Sequence, residues 1–143
     1  MLQAMNTGHE GSLSTVHANT PRDALARIET MVMMAGFDLP MRAIRQQAAS
    51  ALDMIIQLER LEDGSRRVVA ITEVQRMESE IITLQELYEF KLEQILPDRT
   101  VLGELKPTGL RPNFVHKFVK RGIELPQSMF VGNSQPVAEG AKW

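Results

Sequence analysis

A chain of 143 residues with 43% hydrophobic and 24% charged side chains can build one modest core, which argues against two independently folded domains. Its net charge of -2 is too small to make nucleic acid or an anionic membrane the main partner, and the absence of cysteine excludes disulfides, thiolate zinc sites and cysteine nucleophiles. No apolar run approaches the ~20 residues that span a bilayer, and the start lacks the basic and apolar regions of a signal peptide, so a soluble chain is expected.

Gly11–His17 is short and rich in β-branched and small residues, which predicts a buried strand. A helix follows at once. Thr20 is a good N-cap, Pro21 suits the first helical position, and Asp23 lies where the helix dipole favours negative charge. Leu25, Ile28, Val32 and Ala35 form its apolar stripe, Asp23 and Arg27 an i,i+4 pair, and Gly36 its C-cap. Pro40 opens a second helix with Ile44, Ala48, Ala51 and Leu52 on the buried face.

Met54 to Leu61 reads as a strand, Asp63-Gly64 as a hairpin turn, and Arg66 to Val74 as the partner strand. After a polar turn at Glu78-Ser79-Glu80, a third strand runs from Ile81 to about Glu93. It places Leu84, Tyr88, Phe90 and Leu92 on one face, as in an antiparallel sheet with one wet side. Pro97, Pro107, Gly109 and Pro112 predict an irregular connection. A last helix begins near Pro112, carries Phe114, Val115, Phe118 and Val119 on its apolar face, and closes at Gly122 with Ile123 packing back. Residues 131–143 are expected to form a disordered tail.

Three groups of residues could carry chemistry. His9 and His17 suggest a shared metal, but eight intervening steps separate them by ~26 Å in a strand and ~12 Å in a helix, so neither regular structure brings both to one ion. His17 fits better as a group at a strand tip before a capped helix, where open α/β sheets present polar side chains to ligands; a satisfied buried histidine is the plain alternative. Ser14 and Thr15 beside His17 could suggest a hydrolase, yet no glycine elbow surrounds either hydroxyl. Arg22, Arg27, Arg42 and Arg45 lie near two helix N-termini, where arginine binds phosphate or simply faces water. Between Arg99 and Arg121, six basic residues face the single acid Glu104, which leaves open a surface for a partner. Neither G-x-x-x-x-G-K-[ST] nor G-x-G-x-x-G occurs, so nothing here cradles a triphosphate unaided.

The run from Met1 to Leu25, with Gly8-His9 and His17 inside it, resembles the histidine box of CpaF-type secretion ATPases. It is followed in the family's order by Arg27-Ile28-Glu29-Thr30-Met31, Ala43-Ile44-Arg45-Gln46-Gln47 and Ala51-Leu52-Asp53. Then come Asp63-Gly64-Ser65-Arg66-Arg67, Ile71-Thr72-Glu73-Val74 and Thr108-Gly109-Leu110-Arg111-Pro112 with Phe114, so that the resemblance spans residues 1–130. It implies an α/β fold, the C-terminal portion of a RecA-like P-loop ATPase core with an antiparallel hairpin extension and a terminal helix. It further implies a homo-hexameric, cytoplasmic motor at the inner membrane, which acts with a secretion or pilus platform protein and uses ATP and Mg2+. His9 and His17 would lie near the γ-phosphate, with Arg22 and Arg27 as phosphate contacts. The family's Walker A loop and acidic Walker B segment lie upstream of this match, with Met1 at an internal methionine, so this chain alone is expected to bind no nucleotide tightly and to be inactive. A non-enzymatic module using the basic 99–121 segment is the competing reading.

Overall fold

The computed structural model describes residues 11–36 and 38–131. The expected tail lies outside them, apart from Val131. Helix α1, Pro21–Met34, starts as its sequence dictates: the Thr20 hydroxyl accepts the Asp23 amide at 3.1 Å, and Pro21 stands at the first helical position. Gly36 follows in the left-handed region (φ +77°), where the missing Cβ removes the steric penalty of ending a helix. Helix α2, Met41–Ala51, buries Ile44, Ala48 and Ala51, as its spacing predicts.

Four strands follow as an antiparallel meander in the order β1-β2-β3-β4: β1 Met54–Arg60, β2 Arg66–Glu78, β3 Ile81–Ile95 and β4 Val101–Pro107. Helices α1 and α2 cover one face, where Leu25, Ala48, Val74 and Ile82 form the core and Ile55 and Leu84 pack against it. Full burial of the larger core side chains, Leu25, Val74 and Ile82, contributes about 1.5–3 kcal/mol each. Successive strand residues point to opposite faces, so Glu73 projects away from the helices. There it meets the C-terminal segment, which holds the short helix α3, Val115–Val119, and a 3-10 turn at Gln127–Met129.

Four expectations from sequence are corrected. Gly11–His17 forms no strand and is exposed, with Leu13 99% accessible, because no described strand runs beside it to accept and donate backbone hydrogen bonds. The connection expected between Pro97 and Pro112 contains β4, in which Val101, Gly103, Leu105 and Pro107 are more buried than Leu102, Glu104 and Lys106. Gly103 is what allows the close approach there, since a Cβ would lie 2.6 Å from both the Lys91 carbonyl oxygen and the Phe90 ring. In β3, Thr72 pairs with Glu86 and Ile71 with Tyr88, so Leu87 is an extra residue and the strand changes phase. Leu84 and Tyr88, expected on one face, therefore lie on opposite faces, and Leu87 itself is buried. The last helix begins three residues after Pro112, and although Gly122 closes it as expected, Val119 and Ile123 remain exposed.

Candidate functional site

His17 lies on the exposed approach to α1, three residues before its N-cap Thr20. Its neighbour Ala18 is anchored through its carbonyl oxygen, which accepts the Gln57 side-chain amide of β1 at 3.0 Å. From that anchor the approach runs beside α1, and His17, Asn19, Asp23, Arg27, Thr30 and Met31 border an open concavity of about 730 Å3. The structure thus brings His17 and Arg27 to one surface. A basic ring, a guanidinium and the Asn19 amide in a single trough can bind an anionic oxygen by charge and hydrogen bonds.

Arg22 is elsewhere. Five residues of helix turn a side chain by about 140° relative to Arg27, so Arg22 borders a second, smaller concavity with Thr20, Thr72, Leu84 and Glu86. The expected Asp23–Arg27 ion pair is not formed among the described residues, in keeping with the small net worth of exposed i,i+4 pairs. Arg45, one of the four arginines singled out in the sequence, is committed to structure. It makes two hydrogen bonds to the Glu29 carboxylate, at 2.9 and 3.2 Å, and a third to the Glu80 carbonyl oxygen at 2.9 Å, tying α1, α2 and the β2–β3 turn together. Ser14 and Thr15 are exposed in the irregular approach segment. His9 lies outside the described residues.

Two of the six basic residues of the run 99–121 are ion-paired in three dimensions. Lys106 pairs with Glu93 at 3.2 Å and Glu104 at 3.7 Å, and Lys117 with Asp53 at 2.8 Å, acids that the local count across the run did not include except for Glu104. Two polar residues that sequence reasoning left aside prove to be the most deeply placed. Glu73, 3% exposed, accepts the Asn113 amide at 2.7 Å and the Phe114 amide at 3.2 Å through one carboxylate oxygen, and so fixes the chain entering α3. Thr72, 1% exposed, faces the α1 side. The available signal was a Thr-Glu pair set between Ile71 and Val74 in a central strand, where one polar group per face needs a reason.

Comparison with known proteins places these elements in a wider set. Residues 1–94 match the family described as type II/IV secretion system protein. The type IV secretion system protein VirB11 of Bartonella henselae is 41% identical over 75 residues, covering 49% of this chain and 20% of that protein. The conjugal transfer protein TrbB of Rhizobium radiobacter is 38% identical over 66 residues, covering 46% and 19%. A conjugal transfer protein of Mycobacterium tuberculosis is 36% identical over 81 residues, covering 57% and 22%. This chain therefore spans about a fifth of the length of these relatives. Among the described residues no helix is long and apolar enough to cross a membrane. With the family match running from the histidine segment through both helices into β3, the chain belongs to the type II/IV secretion system protein family.

Proposed function

We propose that this chain is the C-terminal part of a CpaF-type motor ATPase, a portion of a RecA-like core whose residues 1–130 form the folded unit. In the whole protein it would assemble as a homo-hexamer in the cytoplasm and dock at the inner membrane on a secretion or pilus platform protein, coupling hydrolysis of ATP with Mg2+ to export or pilus assembly. The observation that carries this reading is the shared surface of His17 and Arg27 at the entrance to a capped helix, inside the family-matched region. Phosphoryl transfer asks chiefly for positioning and charge stabilisation, which a histidine and an arginine at a helix entrance can supply to a terminal phosphate or to the attacking water.

Two features of the sheet support the same reading. The outer edge of β1 pairs with no strand among the described residues, and the strand-type sequence Gly11–His17 has no strand beside it, as in a sheet that continues in the parent. The residues present do not fit a triphosphate by themselves, because the sequence carries no G-x-x-x-x-G-K-[ST], so the cradle must come from elsewhere in the parent. The competing reading of 99–121 as a basic docking module loses Lys106 and Lys117 to ion pairs with Glu93, Glu104 and Asp53.

The test is His17→Ala in a parent carrying the Walker segments. Contact with the γ-phosphate or the attacking water predicts kcat lower by about 10²-fold with nucleotide affinity little changed. A normal turnover per folded hexamer would remove His17 from the catalytic list.

A further inference from the structure

Among the described residues, the Thr72 hydroxyl is the buried side-chain polar atom that finds no hydrogen-bond partner. Thr72 is 1% exposed in the middle of β2, where a valine of the same shape would avoid the cost of an unpaired hydroxyl. It borders the concavity of about 290 Å3 shared with Thr20, Pro21, Arg22, Leu84 and Glu86, on the opposite side of α1 from Arg27.

The rest of that wall is built for an anion. The first turn of α1, a helix of 14 residues, faces it. Thr20 satisfies the Asp23 amide and Pro21 has no amide hydrogen, so the Arg22 amide is the first-turn donor left without an intrahelical acceptor. The Arg22 guanidinium is exposed and has no ion-pair partner among the described residues. Opposite them stands Glu86, the register partner of Thr72 across β2 and β3. A carboxylate there repels a fully deprotonated anion but accepts a hydrogen bond from an oxyanion that keeps a proton.

We propose that this concavity binds a phosphate group still carrying a proton. The Arg22 side chain and the first turn of α1 take its charge, the Thr72 hydroxyl donates to a second oxygen, and Glu86 accepts the P–OH. Two sources share that chemistry, inorganic phosphate and a phosphate monoester, and the volume admits either. The assignment involves neither His17 nor turnover of ATP, and it shares with the motor reading only Arg22, one of the two phosphate contacts that the family resemblance implies.

Equilibrium dialysis of the 143-residue chain at near-neutral pH tests it, with radiolabelled inorganic phosphate in one arm, glycerol phosphate in the other and sulfate as competitor. The expected result is saturable uptake in at least one arm with sulfate competing poorly, because sulfate has no proton to give Glu86. Which arm saturates at lower concentration identifies the source. Thr72→Val and Arg22→Gln should each weaken uptake about tenfold or more, the worth of one hydrogen bond to a charged group. Thr72→Val should at the same time melt no lower than the parent chain without phosphate, which separates lost binding from lost folding. Glu86→Gln should bring sulfate and phosphate closer together. Absence of saturable uptake in both arms, uptake unchanged in Thr72→Val and Arg22→Gln, or sulfate competing as well as phosphate would each overturn the proposal.

Discussion

On one face of β2, Val74 packs with Leu25, Ala48 and Ile82, and the two helices are held mainly by apolar contact, with the Arg45 hydrogen bonds at its edge; on the other face, one residue away, Glu73 holds the C-terminal segment by hydrogen bonds to two backbone amides. Apolar contact is non-directional and scales with the area covered. A buried carboxylate is directional, and truncating it leaves its donors unpaired. The Lys117–Asp53 pair and the hydrogen bond from the Tyr88 hydroxyl to the Met129 carbonyl oxygen extend the polar attachment along the second face. The same strand thus fastens its two covers by largely unlike means, so the covers should fail separately and under different conditions.

The largest effect is expected on the apolar face. Ile44 of α2 is 0% exposed, and Ile44→Ala should cost about 2–5 kcal/mol in denaturant unfolding, through lost transfer energy and the cavity left behind. A loss below about 1 kcal/mol would mean that α2 collapses onto the sheet freely and that packing there is loose.

On the polar face, Glu73→Ala should cost about 1–3 kcal/mol, because the Asn113 and Phe114 amides lose their acceptor. The sharper readout is hydrogen exchange: protection should fall over 113–119 while the sheet amides keep theirs. Glu73→Gln, which retains an acceptor oxygen, should recover part of the loss. Uniform loss of protection across the sheet and α2 would show that the two covers are coupled and do not fail separately.

The smallest effect separates the faces by pH. The Asp63 carboxyl in the β1–β2 turn is held below its ordinary range, first by the Ser65 hydroxyl, then by the Ser65 amide, with lesser help from the Val101 amide and the Arg67 charge. A folded-state pKa below the unfolded one means that this stabilisation is complete above the unfolded value and fades as pH falls through the folded one. Asp63→Asn should therefore flatten the acid limb of the stability curve, while Ile44→Ala lowers the curve without changing its shape. An unchanged acid limb in Asp63→Asn would remove this turn from the acid response.

Much of the helical half was legible in the residues themselves. Thr20, Pro21, Asp23 and Gly36 bound α1, and Pro40 with Ile44, Ala48 and Ala51 marks α2, because caps and periodic stripes act within a few residues of their own position. The Asp63-Gly64 turn was legible for the same reason. Strand β4 was partly readable, since Glu104, Leu105 and Lys106 alternate, but Val101 and Leu102 are both apolar and Gly103 and Pro107 read as breakers. The balance tips only because the Phe90 ring needs the space above Gly103, and because Pro107 sits at the strand's end.

By itself the sequence determined the two helices, the first hairpin and a resemblance to secretion-system proteins that the family match bears out. The tertiary structure decided what depends on residues far apart in the chain. Gly11–His17 has strand composition, yet a strand exists only beside a partner, and no described strand supplies one. Leu87 reverses the facing of β3 because the register against β2 slips by one residue, which local alternation does not record. Arg45 becomes a clamp and Lys117 half of an ion pair because Glu29 and Asp53 arrive from 16 and 64 residues away. Local bonding is written in neighbouring side chains, whereas pairing, burial and charge compensation belong to the whole fold; that is why Arg22 and Arg27, alike in sequence, end on different sides of α1.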